Sequence, residues 1–245
     1  MYICHAITQQ NKKQNIMASI KFGNIVVDAR GKINGNVYSK NKGGAYSRVR
    51  VIPTNPRSAA QTAVRNFFTT ASQAWKALTD TQRNGWVQSV AQFQRLNRLA
   101  DKISLSGNSL YVSLNKNLAD VGIAAISDAP SPQDVASVVV SSTAASTGGQ
   151  TLTITLSGAV PANTSLKVFC SNAQSPGVAS IGTKNRQIIS FASAHAAALD
   201  LTTAYLAKFG TVGSLGNKIF YSIVPVNEAT GQAGGAIRGV ITIAA

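Results

Sequence analysis

Acidic residues, histidine and cysteine are all scarce in this chain of 245 residues, which contains eight Asp or Glu, two His and two Cys. Eight scattered acids leave little material for a general acid and base pair, and abundant serine without an oriented histidine supplies no nucleophile. His5 and His195 lie too far apart for metal-ligand spacing, and Cys4 and Cys170 build neither a disulfide framework nor a thiolate metal site. The sequence therefore predicts no enzyme, no catalytic residues, no cofactor and no metal site.

Long apolar runs are also missing. No run approaches the ~20 residues that a helix needs to cross a bilayer. The N-terminus lacks a lysine-led apolar region followed by a small-residue cleavage site, so we expect a cytoplasmic origin and no membrane partner. Residues 1–16 are polar and aperiodic, and Met17 opens the string MASIKFGN. We interpret residues 1–16 as a flexible arm or a mis-called start.

Positive charge is what the chain has in excess, with a formal net charge of +15 and a pI near 10.2. Residues 1–127 contain 17 Lys or Arg against four acids, whereas residues 128–245 contain six against four. This imbalance implies an anionic neighbour for the first half, which is nucleic acid, an acidic protein surface or a lipid headgroup layer. Charge alone does not choose among them.

Residues 20–52 read as extended structure punctuated by glycine, and the turn residues Asn41–Gly44 predict a β-hairpin. Tyr38 and Tyr46 interleave with its cations, a mixture that nucleic-acid surfaces use. A solvated hairpin and a cationic patch docked on an acidic protein remain open as alternatives. The residues that we predict to carry attachment or anion binding are Arg30, Lys32, Lys40, Lys42, Arg48, Arg50 and Arg57.

A small helical module is predicted next. The prolines of PTNPR mark a boundary, and apolar residues at three- and four-residue steps then indicate a helix that begins after Ser58. Thr79 and Gln82 have the spacing of a capping box and predict a second helix packed back on the first. A third helix is expected from about Asn108 to Asp120, with Gly122 as its stop. The aromatic residues predicted to be core or interface anchors are Phe67, Phe68, Trp75 and Trp86.

The segment DAPSP at 128–132 is the predicted linker, because two prolines stiffen it and the composition changes on its far side. Beyond it, short β-prone runs separated by Gly, Ser, Asn and Pro predict an immunoglobulin-like antiparallel β-sandwich over 133–245. The predicted strands are Val135–Val140, Leu152–Leu156, Leu166–Cys170, Gln187–Phe191, Ile219–Val226 and Ile237–Ile243, with a short helix at Leu201–Phe209. The fold class is therefore α+β: a basic hairpin and helical attachment module over 17–127, followed by the sandwich.

Six strings of the sequence support a resemblance. They are GKINGNVYSKNKGGAYSR, NPRSAAQTAVRNFF and WKALTDTQRNGW in the first half, and VPANTSLKVFCSNAQSPG, AYLAKFG and KIFYSIVPVNEATGQ in the second. Together they resemble a family of uncharacterised phage-encoded virion proteins over nearly everything after Met17. The resemblance implies a structural component of a tailed-phage particle, without catalytic residues.

On this basis we expect a non-enzymatic structural protein of a bacteriophage virion, made in the bacterial host cytoplasm and attached at the head or head-to-tail region through its basic module. The expected partners are other virion proteins (capsid, portal or tail components), further copies of the chain in a homo-oligomer, and DNA by proximity. One alternative is a DNA-binding or packaging protein that is not retained in the particle. Another is a host-surface binder that uses the sandwich loops.

Overall fold

The computed structural model describes residues 17–20, 23–24, 26–41, 44–52, 54–96, 102–103, 105–182 and 184–245. The chain divides into two compact units, Met1–Ala59 and Ala60–Ala245. This division lies at the end of the proline-containing segment that follows the hairpin, and it differs from the predicted boundary at 128–132. The three predicted helices therefore belong with the C-terminal sheets and not with the basic hairpin.

The N-terminal unit contains a four-stranded antiparallel sheet in the order β1-β4-β3-β2. The predicted hairpin is confirmed, since β3 and β4 pair from Asn36 with Val49 to Asn41 with Gly44. Gly44 has φ of 109°, a conformation that glycine adopts without strain. The sheet adds a strand on each side of that hairpin. The bounds are β1 Met17–Ser19, β2 Gly31–Ile33, β3 Asn36–Asn41 and β4 Gly44–Val49.

The second unit begins with three helices, α1 Ala59–Ala77, α2 Asp80–Ser89 and α3 Gly107–Asp120. The predicted capping box is confirmed: Gln82 N donates to Thr79 Oγ1 over 3.3 Å, and Thr79 N donates to Gln82 Oε1 over 3.0 Å. Ser106 caps α3 by accepting from Ser109 N over 3.2 Å. These side chains fix the first turns because they satisfy amides that lack a partner within the helix.

The helices enclose a small core built around Trp86. Its side chain is fully buried, its ring lies 5.3 Å from that of Tyr111, and its Nε1 donates to Ser127 O over 2.8 Å. Leu78, Leu110 and Leu114 complete the buried cluster. The helix that packs along α2 is α3, rather than α1 as predicted. The reason is that Trp86, on the apolar face of α2, packs against Tyr111 of α3.

The C-terminal residues form two antiparallel sheets, ordered β10-β9-β12-β13 and β11-β8-β7. Both sheets contribute to one hydrophobic cluster, which includes Leu152 and Ile154 of one sheet and Val168 and Ile223 of the other. The bounds are β7 Val140–Ser146, β8 Thr151–Leu156, β9 Thr164–Cys170, β10 Arg186–Phe191, β11 Ala198–Asp200, α4 Thr202–Phe209, β12 Lys218–Asn227 and β13 Ile237–Thr242. The fold class is therefore α+β.

One strand prediction was wrong, and three short strands were not predicted. The run Val135–Val140 is not a strand; β7 begins at Val140, because Ser142–Ser146 pair with β8 across the turn that ends at Gln150. The apolar side chain of Val138 is buried without its backbone joining a sheet. Ala198–Asp200 was missed, since three residues are too few to show an alternating pattern. The two-residue pair β5 Arg95–Leu96 and β6 Lys102–Ile103 was missed for the same reason.

The predicted linker is held against the helices, which explains why the chain does not divide there. Gln82 Nε2 donates to Asp128 Oδ1 over 3.1 Å, and Ala129 packs on the helical core. The far end of α3 joins the sheets, because Lys167 Nζ of β9 donates to Asn117 Oδ1 over 2.8 Å. In the part of the chain that the structure describes, no helix is long and apolar enough to cross a membrane.

Candidate anion-binding surface

One face of the N-terminal sheet carries a lysine and an arginine in a single row. Lys32 of β2 lies opposite Val37 of β3, and Val37 lies opposite Arg48 of β4. Directly opposed residues of antiparallel strands point to the same face, so Lys32 and Arg48 share it at two strand spacings, about 10 Å. Tyr46 precedes Arg48 by two residues and lies on the same face, because the side-chain period of a strand is two.

The other face carries one cation and two exposed aliphatic residues. Lys40 lies opposite Ala45, and Ala45 is three residues from Arg48 along β4. Residues an odd number of positions apart point to opposite faces of a strand, so Lys40 points away from Lys32 and Arg48. Ile33 and Val49 are 67% and 44% exposed, and both are in register with Asn36. The predicted attachment residues are thus divided between two faces of the sheet.

The remaining predicted cations lie at the ends of the strands. Arg30 comes just before β2, and Arg50 follows β4 with its backbone N donating to Gly35 O over 2.7 Å. Arg57 follows β4 and precedes α1 along the chain. Its φ is 49°, a left-handed conformation that is uncommon for a side-chain-bearing residue. Lys42 falls outside the described residues.

Ion pairing neutralises little of the charge on the described residues of this unit. Residues 1–59 contain ten Lys or Arg and one Asp. Among the described residues of this unit the one ion pair joins Arg30 Nε to Asp28 Oδ2 over 3.1 Å, with side chains 68% and 42% exposed. Every predicted attachment cation that the structure describes is exposed to solvent. The unit therefore presents a positive potential from both faces and from its strand ends.

The described side chains of this unit form no core. Before Ala59, no residue whose burial the structure describes is buried, although a sheet of this size normally needs a hydrophobic face packed on something to be stable. A sheet whose described residues are exposed or half-buried, and whose cations repel one another, gains stability from an anionic surface that binds the folded state.

The four aromatic anchors have different environments. Trp86 is fully buried, whereas Phe68 on α1 is 48% exposed. Phe67 is half-buried and meets Lys116, whose Nζ lies 5.4 Å from the ring centroid. Trp75 is half-buried and lies 5.4 Å from the ring of Tyr111.

The polar groups that most resemble catalytic machinery serve the fold. Glu228 accepts from Ser165 Oγ over 2.6 Å and from Ser193 N and Oγ over 3.1 Å each. Burial raises the pKa of Glu228, but the hydrogen bonds from Ser165 and Ser193 outweigh it and hold the pKa below its ordinary value. A carboxylate kept ionised by three donors is suited to joining loops rather than to exchanging protons.

His195 is not oriented by a carboxylate. Its Nδ1 lies 2.9 Å from Ala196 O, and its ring meets the edge of Phe191 at 4.7 Å. Burial raises the pKa of the Cys170 thiol to about 12, so this sulfur is not a thiolate at neutral pH. No group of three or more His, Cys, Asp or Glu in the described ranges is arranged to hold a metal ion.

Sequence reasoning missed one cluster of charge in the second unit. Lys184, Arg186 and Lys208 line a common groove, although Lys208 is 22 residues or more from the other two along the chain. Their only shared signal in the sequence is their sign, and the near-neutral balance of residues 128–245 concealed it.

Comparison with protein-family models and with curated protein sequences finds no match. Among solved structures, the chain is similar to the crystal structure of a β-1,2-glucanase from Parabacteroides distasonis, at 11% sequence identity and a TM-score of 0.28. The match covers 48% of this chain and 14% of the glucanase chain. A similarity of this size carries no argument about the fold or the activity of this protein.

Proposed function

We propose that this chain is a non-enzymatic structural protein of a bacteriophage virion, attached at the head or head-to-tail region through its basic N-terminal sheet. One observation carries the proposal: in the described part of the N-terminal unit the cations are exposed, Arg30 alone pairs with an acid, and no residue whose burial is described is buried. A surface of this kind is complementary to an acidic assembly surface. The phage context comes from the resemblance of the sequence strings.

We infer further that the C-terminal sheets form an immunoglobulin-like sandwich. A three-stranded and a four-stranded antiparallel sheet share one core cluster, and seven strands over about 100 residues is the arrangement of that class. Such a unit projects loops from both ends and suits display on a particle surface.

Many copies acting together explain why no strong single site is needed. On a particle with repeated symmetry, weak contacts between many basic sheets and an anionic surface add through effective concentration. The attachment is then salt-sensitive, because exposed charges are screened within about 10 Å at ordinary ionic strength.

The proposal is tested by charge reversal of four exposed cations, in the variant R30E/K32E/R48E/R50E, expressed from the phage that encodes the chain. We expect this variant to be absent from purified particles when its copy number is measured by mass spectrometry. The matched control, K184E/R186E/K208E/R238E, reverses four exposed cations of the second unit and is expected to be incorporated at the wild-type level.

Undiminished incorporation of the first variant would count against attachment through the basic sheet. A wild-type chain that is missing from purified particles, yet binds duplex DNA with an affinity that falls steeply as salt rises, would instead favour a packaging role.

A further inference from the structure

A groove of about 640 Å³ opens on the second unit, where the loop before β10, the start of β10 and the end of α4 meet. Its walls combine cationic, amide and aromatic side chains. The lining residues are Asn172, Gln174, Lys184, Arg186, Lys208 and Phe209.

The charge in this groove is concentrated and unbalanced. It holds three of the six Lys or Arg found in residues 128–245, and no acidic residue lines it. Lys184, Arg186 and Lys208 are exposed, and none of them forms an ion pair with a described residue. Three like charges around one concave surface repel one another and focus a positive potential there, so an anion that enters relieves the repulsion.

The uncharged walls add directional hydrogen-bonding groups. The Gln174 amide nitrogen donates to Asn172 O over 3.0 Å and to Ala173 O over 3.2 Å. Its carbonyl oxygen is then the remaining hydrogen-bonding group of that amide and can accept from a ligand. Asn172 Oδ1 accepts from Ala173 N over 2.8 Å, which leaves its amide nitrogen to act as a donor.

The groove is built on a fixed frame. Gln174 and Lys218 exchange both backbone hydrogen bonds, at 2.9 and 2.8 Å. At the other wall, the ring of Phe209 lies 4.8 Å from that of Tyr205, whose buried hydroxyl donates to Ser171 O over 3.0 Å. The Gln174 backbone and the Phe209 ring are therefore held in place before a ligand binds, which lowers the entropic cost of ordering these two walls.

We propose that this groove binds an acidic oligosaccharide, in which sugar rings carry carboxylate or sulfate groups. The three cations match the acid groups. The two amides match hydroxyls, which both donate and accept. The half-buried ring of Phe209 offers an apolar edge to the C–H face of a sugar. The site is independent of the attachment role of the N-terminal sheet.

Nucleic acid fits the groove less well. Single-stranded nucleic acid is held by successive aromatic platforms on which bases stack. This groove has one aromatic lining residue, and the ring of Phe209 already packs against Tyr205.

The test uses the full chain and four probes: a tetragalacturonate, a heparin tetrasaccharide, the neutral maltotetraose and a hexathymidylate. Binding is measured by calorimetry, and the site is located by backbone amide chemical shifts. We expect one or both acidic sugars to bind and to shift the amides of Lys184, Arg186 and Lys208, with no binding of maltotetraose.

The variant K184Q/R186Q/K208Q is expected to weaken this binding by at least about tenfold, the change that 1.4 kcal/mol produces. The matched control K32Q/R48Q/R50Q removes three cations of the N-terminal unit, and the affinity read from the shifts of the Lys184, Arg186 and Lys208 amides is expected to stay at the wild-type value. Equal binding by the groove variant, equal binding of maltotetraose, or tighter binding of hexathymidylate at the same amides would each overturn the proposal.

Discussion

The described residues include two four-stranded antiparallel sheets, which differ in the burial of their side chains. In the N-terminal sheet, β1-β4-β3-β2, no residue whose burial is described is buried, whereas β12 of the C-terminal sheet β10-β9-β12-β13 has eight buried residues of ten. The two sheets thus share strand pairing and differ in burial. The C-terminal sheet is stabilised by apolar burial on another sheet, while Ile33, Val49 and the described cations of the N-terminal unit are exposed to water.

The same contrast separates two ways of using lysine and arginine. In the second unit, Lys167 is 8% exposed at its side chain and lies beside Asp120, 3.7 Å away, and Asn117. Burial lowers the pKa of Lys167, and Asp120 opposes that shift. Such a lysine joins α3 to β9 and serves the fold. The exposed cations of the first unit have no such role, which is the reason to assign them to a partner.

The largest expected change in the free energy of unfolding comes from replacing isoleucine by alanine, once in a C-terminal sheet and once in the N-terminal sheet. Ile154→Ala on β8 removes a fully buried side chain and should lower the free energy of unfolding by about 2–5 kcal/mol. Ile33→Ala on β2 removes a side chain that is 67% exposed and should change it by less than about 0.5 kcal/mol. Urea unfolding followed by far-ultraviolet circular dichroism measures both variants, because that signal comes from the backbone of both units, whereas both tryptophans lie in the second unit. Similar losses in the free energy of unfolding for the two variants would contradict the proposed difference between the sheets.

Two glycines with positive φ, one in each unit, differ in the space around them. Gly231 has φ of 71°, and a Cβ there would overlap the carbonyl of Leu114. Gly231→Ala should therefore cost about 2–4 kcal/mol from backbone strain and overlap. Gly44 has φ of 109° but open space around it, so Gly44→Ala should strain only the β3–β4 hairpin and leave the tryptophan-monitored transition unchanged. Loss of that transition in Gly44→Ala would link the two units energetically.

Two aspartates provide the next smaller effect. Asp120, with its side chain 22% exposed, contacts both Lys116 and Lys167, and Asp120→Asn should cost about 1–3 kcal/mol because Lys167 loses its counter-charge. Asp28, 42% exposed beside Arg30, forms a surface pair, and Asp28→Asn should stay within about 1 kcal/mol of wild type. The two costs are compared by measuring the urea midpoint of unfolding of each variant at low and at high salt. An equal cost would show that the surface pair is structural.

The smallest effect is a pH dependence confined to the second unit. The folded pKa of Glu228 lies below its ordinary value of 4.5, so its stabilisation is present above that value and is lost as pH falls through the folded pKa. Glu228→Gln should cost about 1 kcal/mol at pH 7. The difference between variant and wild type should narrow in acid, as measured by thermal unfolding from pH 7 to pH 3. A constant difference across this range would exclude ionised Glu228 as the cause.

Much of the helical part of the fold is predictable because its signals are local. Thr79 with Gln82 and Ser106 with Ser109 lie within one turn of each other, so capping chemistry alone indicates where α2 and α3 begin. The hairpin of β3 and β4 is predictable for the same reason, since its strands meet across a short glycine-containing turn.

The candidate sites were less accessible to sequence reasoning. The cations of the first half were found by counting charge, but their division between the two faces depends on the register that sets Lys32 and Arg48 in one row and Lys40 on the opposite side. The cationic groove was not found at all, because its residues belong to separate elements and their number is small.

The amino-acid sequence by itself determined the charge imbalance, the helix starts and the α+β class, because each depends on composition or on residues a few positions apart. The tertiary structure decided that the helices join the C-terminal sheets and that Lys184, Arg186 and Lys208 meet in one groove. Those outcomes depend on which distant segments pack together, and the free energy of that packing comes from apolar surfaces matched across the whole chain.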